Sequence, residues 1–334
     1  MKEEKNSVLL GGQAVIEGVM MRGPGTIATA VRKADGSILV RKESFTPMSS
    51  RNRLWRLPVF RGVGGLVEMM QLGISTLNWS AEVAMDEEGP ASGEEGTTGT
   101  DHAKSRDKKD VLRVGATVVV ALAAAIALFF VTPLFLTSWL FTVNQDPLLF
   151  NLTAGLIRLC IFLGYLGAIS RIKDVKRLFM YHGAEHKTVF AYEKEKTLDA
   201  QVASRHTRFH PRCGTSFLLV VMLVAIVAFA LLDTLLIMGL GHITLPIRLV
   251  AHLLLLPLVG GSAYEVIRLA ARHAESLPGR IAIAPGLWLQ RITTSEPDLN
   301  QLEVAVTALR AALNQDDQAA GSTATVPLQV AAGG

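Results

Sequence analysis

"FLLVVMLVAIVAFALLDTLLIMGL", residues 217–240, holds one charged residue, Asp233, in an otherwise aliphatic run. About 20 apolar residues at about 1.5 Å each are enough to cross the hydrocarbon core of a bilayer, so this stretch reads as a membrane span. Three further runs read the same way. "VLRVGATVVVALAAAIALFFVTPLFLTSWLF" (111–141) has one arginine near its start, "LLFNLTAGLIRLCIFLGYLGAIS" (148–170) is interrupted only by Arg158, and a fourth run covers 243–270. Composition agrees, with 50% hydrophobic residues, 19% charged residues and a positive mean hydropathy. Lipid offers no partner for unpaired backbone groups, so each run is expected to be a helix. The predicted fold class is an α-helical integral membrane protein with four transmembrane helices plus a small α+β cytoplasmic domain.

Orientation follows from charge. The segment after the second span carries ten cations, from Arg171 to Arg212, whereas the connections "TVNQDP" and "GLGHITLP" carry no lysine or arginine. The positive-inside rule therefore places both termini and this long segment in the cytoplasm of a multi-pass chain in the cytoplasmic (inner) membrane. "MKEEKNSVLLGGQ" lacks the basic head and long apolar run of a secretory signal. Cys160, inside an apolar helix, reads as packing, and a disulfide to Cys213 is not expected in a reducing compartment. The net charge of +4 suits the anionic headgroups of a lipid bilayer and gives no sign of specific nucleic-acid binding.

The soluble pieces divide the chain further. Residues 1–85 are expected to form an α+β domain: a glycine-rich start, a hairpin at Asp35-Gly36, the segment "RNRLWRLPVFRG", and an amphipathic helix over 63–84. That arginine segment reads either as lying on headgroups or as a solvated basic loop. Residues 86–110 read as a disordered acidic linker, 111–170 as spans one and two, 171–216 as a cytoplasmic loop, and 217–270 as spans three and four. Residues 271–315 read as a helical segment capped from Ser295, with Leu302, Val304, Val306, Leu309 and Leu313 on its apolar positions, and 316–334 as a loose tail. Glu17, between glycines, is read as part of a tight turn rather than a ligand-binding loop. Asp233 and Arg248 read as a structural pair; His242 and His252 read as satisfied helix or interface residues, and His273 as solvated.

Chemistry concentrates in the loop. In "YHGAEHKTVFAYE" (181–193), a helix would place His182, Glu185 and His186 on one face at i, i+3 and i+4. H-x-x-E-H is the reverse of the zinc-protease signature, in which two imidazoles hold the metal and the acid takes a proton from water. Shortly afterwards His206, His210 and Cys213 supply further nitrogen and sulfur donors, and Pro211 makes "HPRCG" a turn able to swing one of them toward the first helix. Which one arrives stays open. Nitrogen and sulfur donors favour zinc over magnesium as the divalent metal. Glu265, near the end of the fourth span, reads as a metal ligand, a partner of a ligating histidine or a catalytic acid, or else as an ion pair with Arg268.

Taken together, "GGQAVIEGVMMRGP", "YHGAEHKTVFAYE", "HPRCGTSF", "GGSAYEVIRLAAR" and "PGLWLQRITTSEPD" resemble the YqhQ-like bacterial membrane proteins, a family defined by a domain of unknown function. The likeness runs from Leu9 to Leu313 apart from the acidic linker, and it implies the label of a predicted metal-dependent enzyme with no substrate attached. A narrower likeness to inverted zinc proteases is confined to His182, Glu185 and His186. Those enzymes use a distant glutamate as third ligand, and Glu265 is the candidate for that place.

Two functions are thus expected. One is a metal-dependent hydrolase at the cytoplasmic membrane surface, with His182, His186 and one of His206, His210 or Cys213 holding the metal, Glu185 activating its water, and a lipid or membrane-adjacent peptide as substrate. The other is a non-catalytic adaptor whose metal-stapled cytoplasmic face binds a protein or ribonucleoprotein partner. Four spans with few charges could frame a solute pathway only as a homo-oligomer.

Overall fold

A computed structural model describes residues 10–51, 53–85, 108–273 and 276–315. The expected linker lies outside the described residues as far as position 107, and so does the tail 316–334. In chain order the described residues form strands β1 (Gly11–Val15), β2 (Gly18–Arg22), β3 (Thr26–Arg32) and β4 (Ile38–Ser44). Helices α1 (Met48–Arg51), α2 (Phe60–Met85), α3 (Lys108–Ile126), α4 (Thr132–Ser138), α5 (Pro147–Ile169) and α6 (Lys173–Glu195) follow. Then come α7 (Ala200–Ser204), α8 (Gly214–Leu240), α9 (Leu245–Arg272), α10 (Leu277–Thr293) and α11 (Leu299–Ala312). The chain is mostly helical, with one four-stranded antiparallel sheet in the order β1-β2-β3-β4.

The sheet is a meander of adjacent strands. The expected hairpin is present: Gly36 has φ 86°, and the Asp35 carboxylate accepts from the Ser37 amide at 2.8 Å. Glu17 closes the β1–β2 turn at φ 52°, as its glycine neighbours suggest. What alternation alone did not show is that β2 and β3 are buried on both faces. Val19, Met21, Ala28 and Ala30 pack on α6 and α11, while Met20, Ile27 and Val31 join Val83, Met69, Leu72 and Trp79 of α2. The sheet therefore cannot bury its strands with residues 1–85 alone. The segment read as a loop, 171–216, supplies one cover through α6 and α7, and the C-terminal segment supplies α11.

α11 fits because it is narrow. Ala305, Ala308, Ala311 and Ala312 are fully or nearly fully buried beside Leu302 and Leu309, so its backbone lies close to the strands. Its cap differs from expectation: the N-cap is Asp298, not Ser295. The Asp298 side chain accepts from the Gln301 amide at 2.8 Å while the Gln301 side chain accepts from the Asp298 amide at 3.1 Å, a reciprocal capping box.

The described residues divide into two compact units. The first takes them from Met1–Glu88, Leu166–Val221 and Pro257–Gly334, the second from Gly89–Tyr165 and Met222–Leu256. Among the described residues, four helical stretches are long and apolar enough to cross a membrane: Val119–Ser138, Pro147–Ile169, Gly214–Leu240 and Leu245–Ala270. Within the second unit the apolar helices pair most of their buried polar groups with one another, His252 Nδ1 being left without a hydrogen-bond partner. Pro133 has no amide to give the Phe129 carbonyl; the helix passes through a π-turn at Ala127–Val131, and the Arg158 Nε donates to that carbonyl at 2.8 Å. Asp233 and Arg248 pair as expected, at 2.6 Å, and His252 (2.9 Å) and Asn151 (2.7 Å) complete the network. Cys160 departs from its expected packing role and is exposed on α5.

Candidate metal centre

Helix α6 carries two stripes. Tyr181, Ala184, Thr188 and Ala191 are buried; Tyr181, Ala184 and Ala191 join the core beneath the sheet. The adjoining stripe presents His182, Glu185 and His186. The helix ends at Lys196, which adopts the left-handed conformation at φ 54°. The chain then passes through α7 and the turn at Pro211 and returns to place Cys213 opposite the two histidines, immediately before α8.

Both imidazoles are oriented by backbone carbonyls. His182 Nδ1 lies 2.9 Å from the Thr293 carbonyl, and His186 Nδ1 lies 2.5 Å from the Arg208 carbonyl. A carbonyl only accepts, so each Nδ1 carries a proton, and in the neutral form of each ring the lone pair is on Nε2. Those lone pairs turn inward. His182 Nε2 is 3.2 Å from Cys213 Sγ, and suitable donor atoms of His182, His186 and Cys213 all lie within 4.8 Å of one another. Glu185 Oε2 stands 3.9 Å from His182 Nε2 and 3.8 Å from His186 Nε2. Two imidazole nitrogens, a sulfur and a carboxylate oxygen thus share one largely buried space, with Glu185 6%, His186 1% and Cys213 7% exposed. Such a set of donors could hold a cation, and nitrogen and sulfur suit a borderline-soft one.

A second layer holds these groups. Arg208, whose carbonyl orients His186, is pinned by its guanidinium to the Thr294 carbonyl and to Thr294 Oγ1, the latter at 2.7 Å. The Gln290 side chain accepts from the His210 amide at 2.7 Å and donates to its carbonyl at 2.8 Å, fixing the turn that delivers Cys213. Thr215 Oγ1 lies 3.1 Å from the Cys213 sulfur, and the Thr215 amide lies 3.4 Å from it. Gly183 matters for the same reason: a Cβ there would collide with the Ser295 carbonyl, so only glycine lets the segment after α10 lie across α6 and bring Thr293 to His182. Lys187, only 4% exposed, ties the same segment by pairing with Glu296, and its ammonium also donates to the Ser204 carbonyl at 3.0 Å.

The sequence-derived candidates therefore separate. His182, Glu185, His186 and Cys213 come together. His206 turns to Glu195 at 2.9 Å. His210 is buried beside His186, with ring centroids 5.6 Å apart, but points its Nε2 toward Glu193 at 3.7 Å. Burial alone would raise the Glu193 carboxyl, but the neighbouring His210 ring and the Arg212 guanidinium overcome it and leave the group below its ordinary value. Glu265 is outside the cluster and is not paired mainly with Arg268: Arg61 holds it through two hydrogen bonds of 2.6 and 2.5 Å. That bond in turn raises the affinity of the Arg61 guanidinium for its proton. Glu17 bonds Arg177 and receives the Tyr181 hydroxyl at 3.2 Å, fastening the β1–β2 turn to α6. Burial and the neighbouring carboxylate keep Tyr181 a neutral phenol. Thr293, Gln290, Thr215 and the Arg208 carbonyl were not singled out from sequence. Gln290 and Thr293 fall in the block "PGLWLQRITTSEPD" and Thr215 in "HPRCGTSF", but neither block has a metal-ligand spacing that marks them.

No solved structure matches this chain. The uncharacterized protein YqhQ of Bacillus subtilis (strain 168) is 32% identical over 310 residues, covering 92% of each chain. A family model described as "Protein of unknown function (DUF1385)" matches residues 57–315, which include every donor of the cluster, and the chain accordingly belongs to that family.

Proposed function

We propose that the chain is a zinc-dependent hydrolase of the cytoplasmic membrane, crossing it four times with both termini inside and acting on a lipid headgroup or membrane-adjacent peptide. The observation that carries this reading is the shared tautomer of His182 and His186. Each gives its Nδ1 proton to a carbonyl, which leaves the other ring nitrogen for the space shared with Cys213, whose Sγ lies 3.2 Å from His182 Nε2, as metal-ligating histidines do. His182, His186 and Cys213 hold the ion, a three-ligand set of the kind that leaves catalytic zinc one position for substrate or water. Zinc bound there supplies Lewis acidity toward water and toward the carbonyl or phosphoryl group under attack.

The chain's own residues do the rest. The Glu185 carboxylate, close to both Nε2 atoms yet separate from them, takes a proton from the attacking water at Oε2 and returns it to the leaving group. The Thr293 and Arg208 carbonyls hold the rings. Membrane placement is supported by the four apolar helices and by chain order, since Cys213 immediately precedes the helix Gly214–Leu240.

A second reading is favoured by the same carboxylate. If Glu185 moves onto the ion, the site closes with four protein ligands and becomes a structural staple for an adaptor surface. The two readings part on one comparison. Purified in detergent and analysed by mass spectrometry, the protein is expected to carry about one zinc per chain, and His182→Ala and His186→Ala almost none. Glu185→Gln is expected to retain zinc and to fail to complement a deletion strain. Full complementation by Glu185→Gln favours the staple; trace metal in the parent protein removes both metal readings.

A further inference from the structure

Helix α10 has two faces with different partners. One face is buried: Gly279, Gly286, Leu289, Gln290 and Thr293, the last two being the residues that hold the His210 turn and orient His182. The other face is exposed and apolar, with Leu277 at 72%, Ile281 at 64% and Trp288 at 49% exposure. Residues 277, 281, 284 and 288 follow helical spacing, so these side chains form one stripe. The helix contains Arg280 and Arg291, both exposed, and no acidic residue.

Its position in the first unit adds a second observation. α10 begins shortly after α9, a candidate span, and crosses the first turn of α8, another candidate span. A Cβ at Gly286 would collide with the Ser216 side chain. Its Ala282 and Ile283 line a small apolar slot with Val266, Ile267 and Ala270 of α9 and with Val220 of α8. The helix thus lies across the start of one apolar helix and beside the end of another, which, if both span, is where a bilayer has its headgroup layer. A basic helix with an aliphatic and tryptophan stripe is the composition of an element lying in that layer, with apolar side chains in the acyl boundary and arginines on phosphates.

We infer that α10 is an in-plane interfacial helix that seats the His182–His186–Cys213 cluster on the anionic face of the bilayer. The inference rests on the membrane-spanning part of the reading above, and it narrows the substrate to molecules presented at the headgroup layer. The α10 stripe meets lipid, while the opposite face of the same helix shapes the site.

The test uses the full chain in nanodiscs of phosphatidylglycerol and phosphatidylcholine, with Trp288 left as the only tryptophan by Trp55→Phe, Trp79→Phe and Trp139→Phe. Lipids brominated near the headgroup are expected to quench Trp288 more than lipids brominated deep in the chain, and aqueous acrylamide is expected to quench it weakly. The reference is Leu254→Trp in a background lacking all four native tryptophans, expected to be quenched best by the deep bromines. Trp288 quenched by acrylamide and untouched by bromine, with residue 254 still lipid-quenched, overturns the inference alone; both residues open to acrylamide overturn the spanning reading and the inference with it. A readout independent of those tryptophan changes is Ile281→Cys in a Cys160→Ser background. A membrane-impermeant maleimide is expected to modify it about ten-fold more slowly in nanodiscs than in detergent. Equal rates count against the inference.

Discussion

At the scale of single residues, the cluster depends on orientation as much as on donor identity. Glu185→Gln preserves shape and removes the basic oxygen; on the hydrolytic reading it is expected to lower turnover on a responsive substrate by about 10²–10⁴-fold with zinc retained, measured with matched metal analysis. Gly183→Ala touches no donor, yet its Cβ overlaps the Ser295 carbonyl. It is expected to cost about 1–3 kcal/mol in detergent thermal unfolding and to weaken zinc retention by displacing Thr293 from His182. The two histidines and the glutamate were legible because helical spacing alone puts i, i+3 and i+4 on one face. The third donor was not, because the direction of the Pro211 turn is set by Gln290, far along the chain, and no local pattern encodes that contact. Arg61 as the partner of Glu265 was hidden for the same reason.

Among the elements, α11 links the sheet to the site-bearing helix. Leu309 is fully buried against that core, so Leu309→Ala is expected to destabilise by about 2–5 kcal/mol, whereas Asp298→Ala, which removes a cap, should cost about 1 kcal/mol. Chemical unfolding monitored through hydrogen exchange of β2 and β3 separates the two. Should Leu309→Ala leave those strands fully protected, the shared core described above is wrong. The hairpin, the helix α2 and the four apolar runs could be read from period and turn chemistry. α10 was covered only by the broad helical reading of 271–315, because Gly279, Pro285 and Gly286 mask its bounds and its buried face includes Gln290 and Thr293. The cover of the sheet was equally hidden, since burial on both faces makes "ATAV" a continuous run of buried small residues that no longer tells which partners supply the burial.

Over the whole molecule, the reading joins apolar helices, a basic segment and a donor cluster into one membrane protein. The charge asymmetry leads to an expected topology: Gln145→Cys in the connection after α4 should react with an impermeant maleimide from outside intact cells, and Ser37→Cys only after lysis. The reverse pattern would invert the proposed placement of the site. Everything chemical in the proposal rests on an ion held between His182, His186 and Cys213, and zinc X-ray absorption on the purified protein tests for it most directly. The expected first shell has one sulfur at about 2.3 Å and two imidazole nitrogens at about 2.0 Å, with the sulfur lost in Cys213→Ala. A protein without zinc, or a shell without sulfur that Cys213→Ala leaves unchanged, contradicts it.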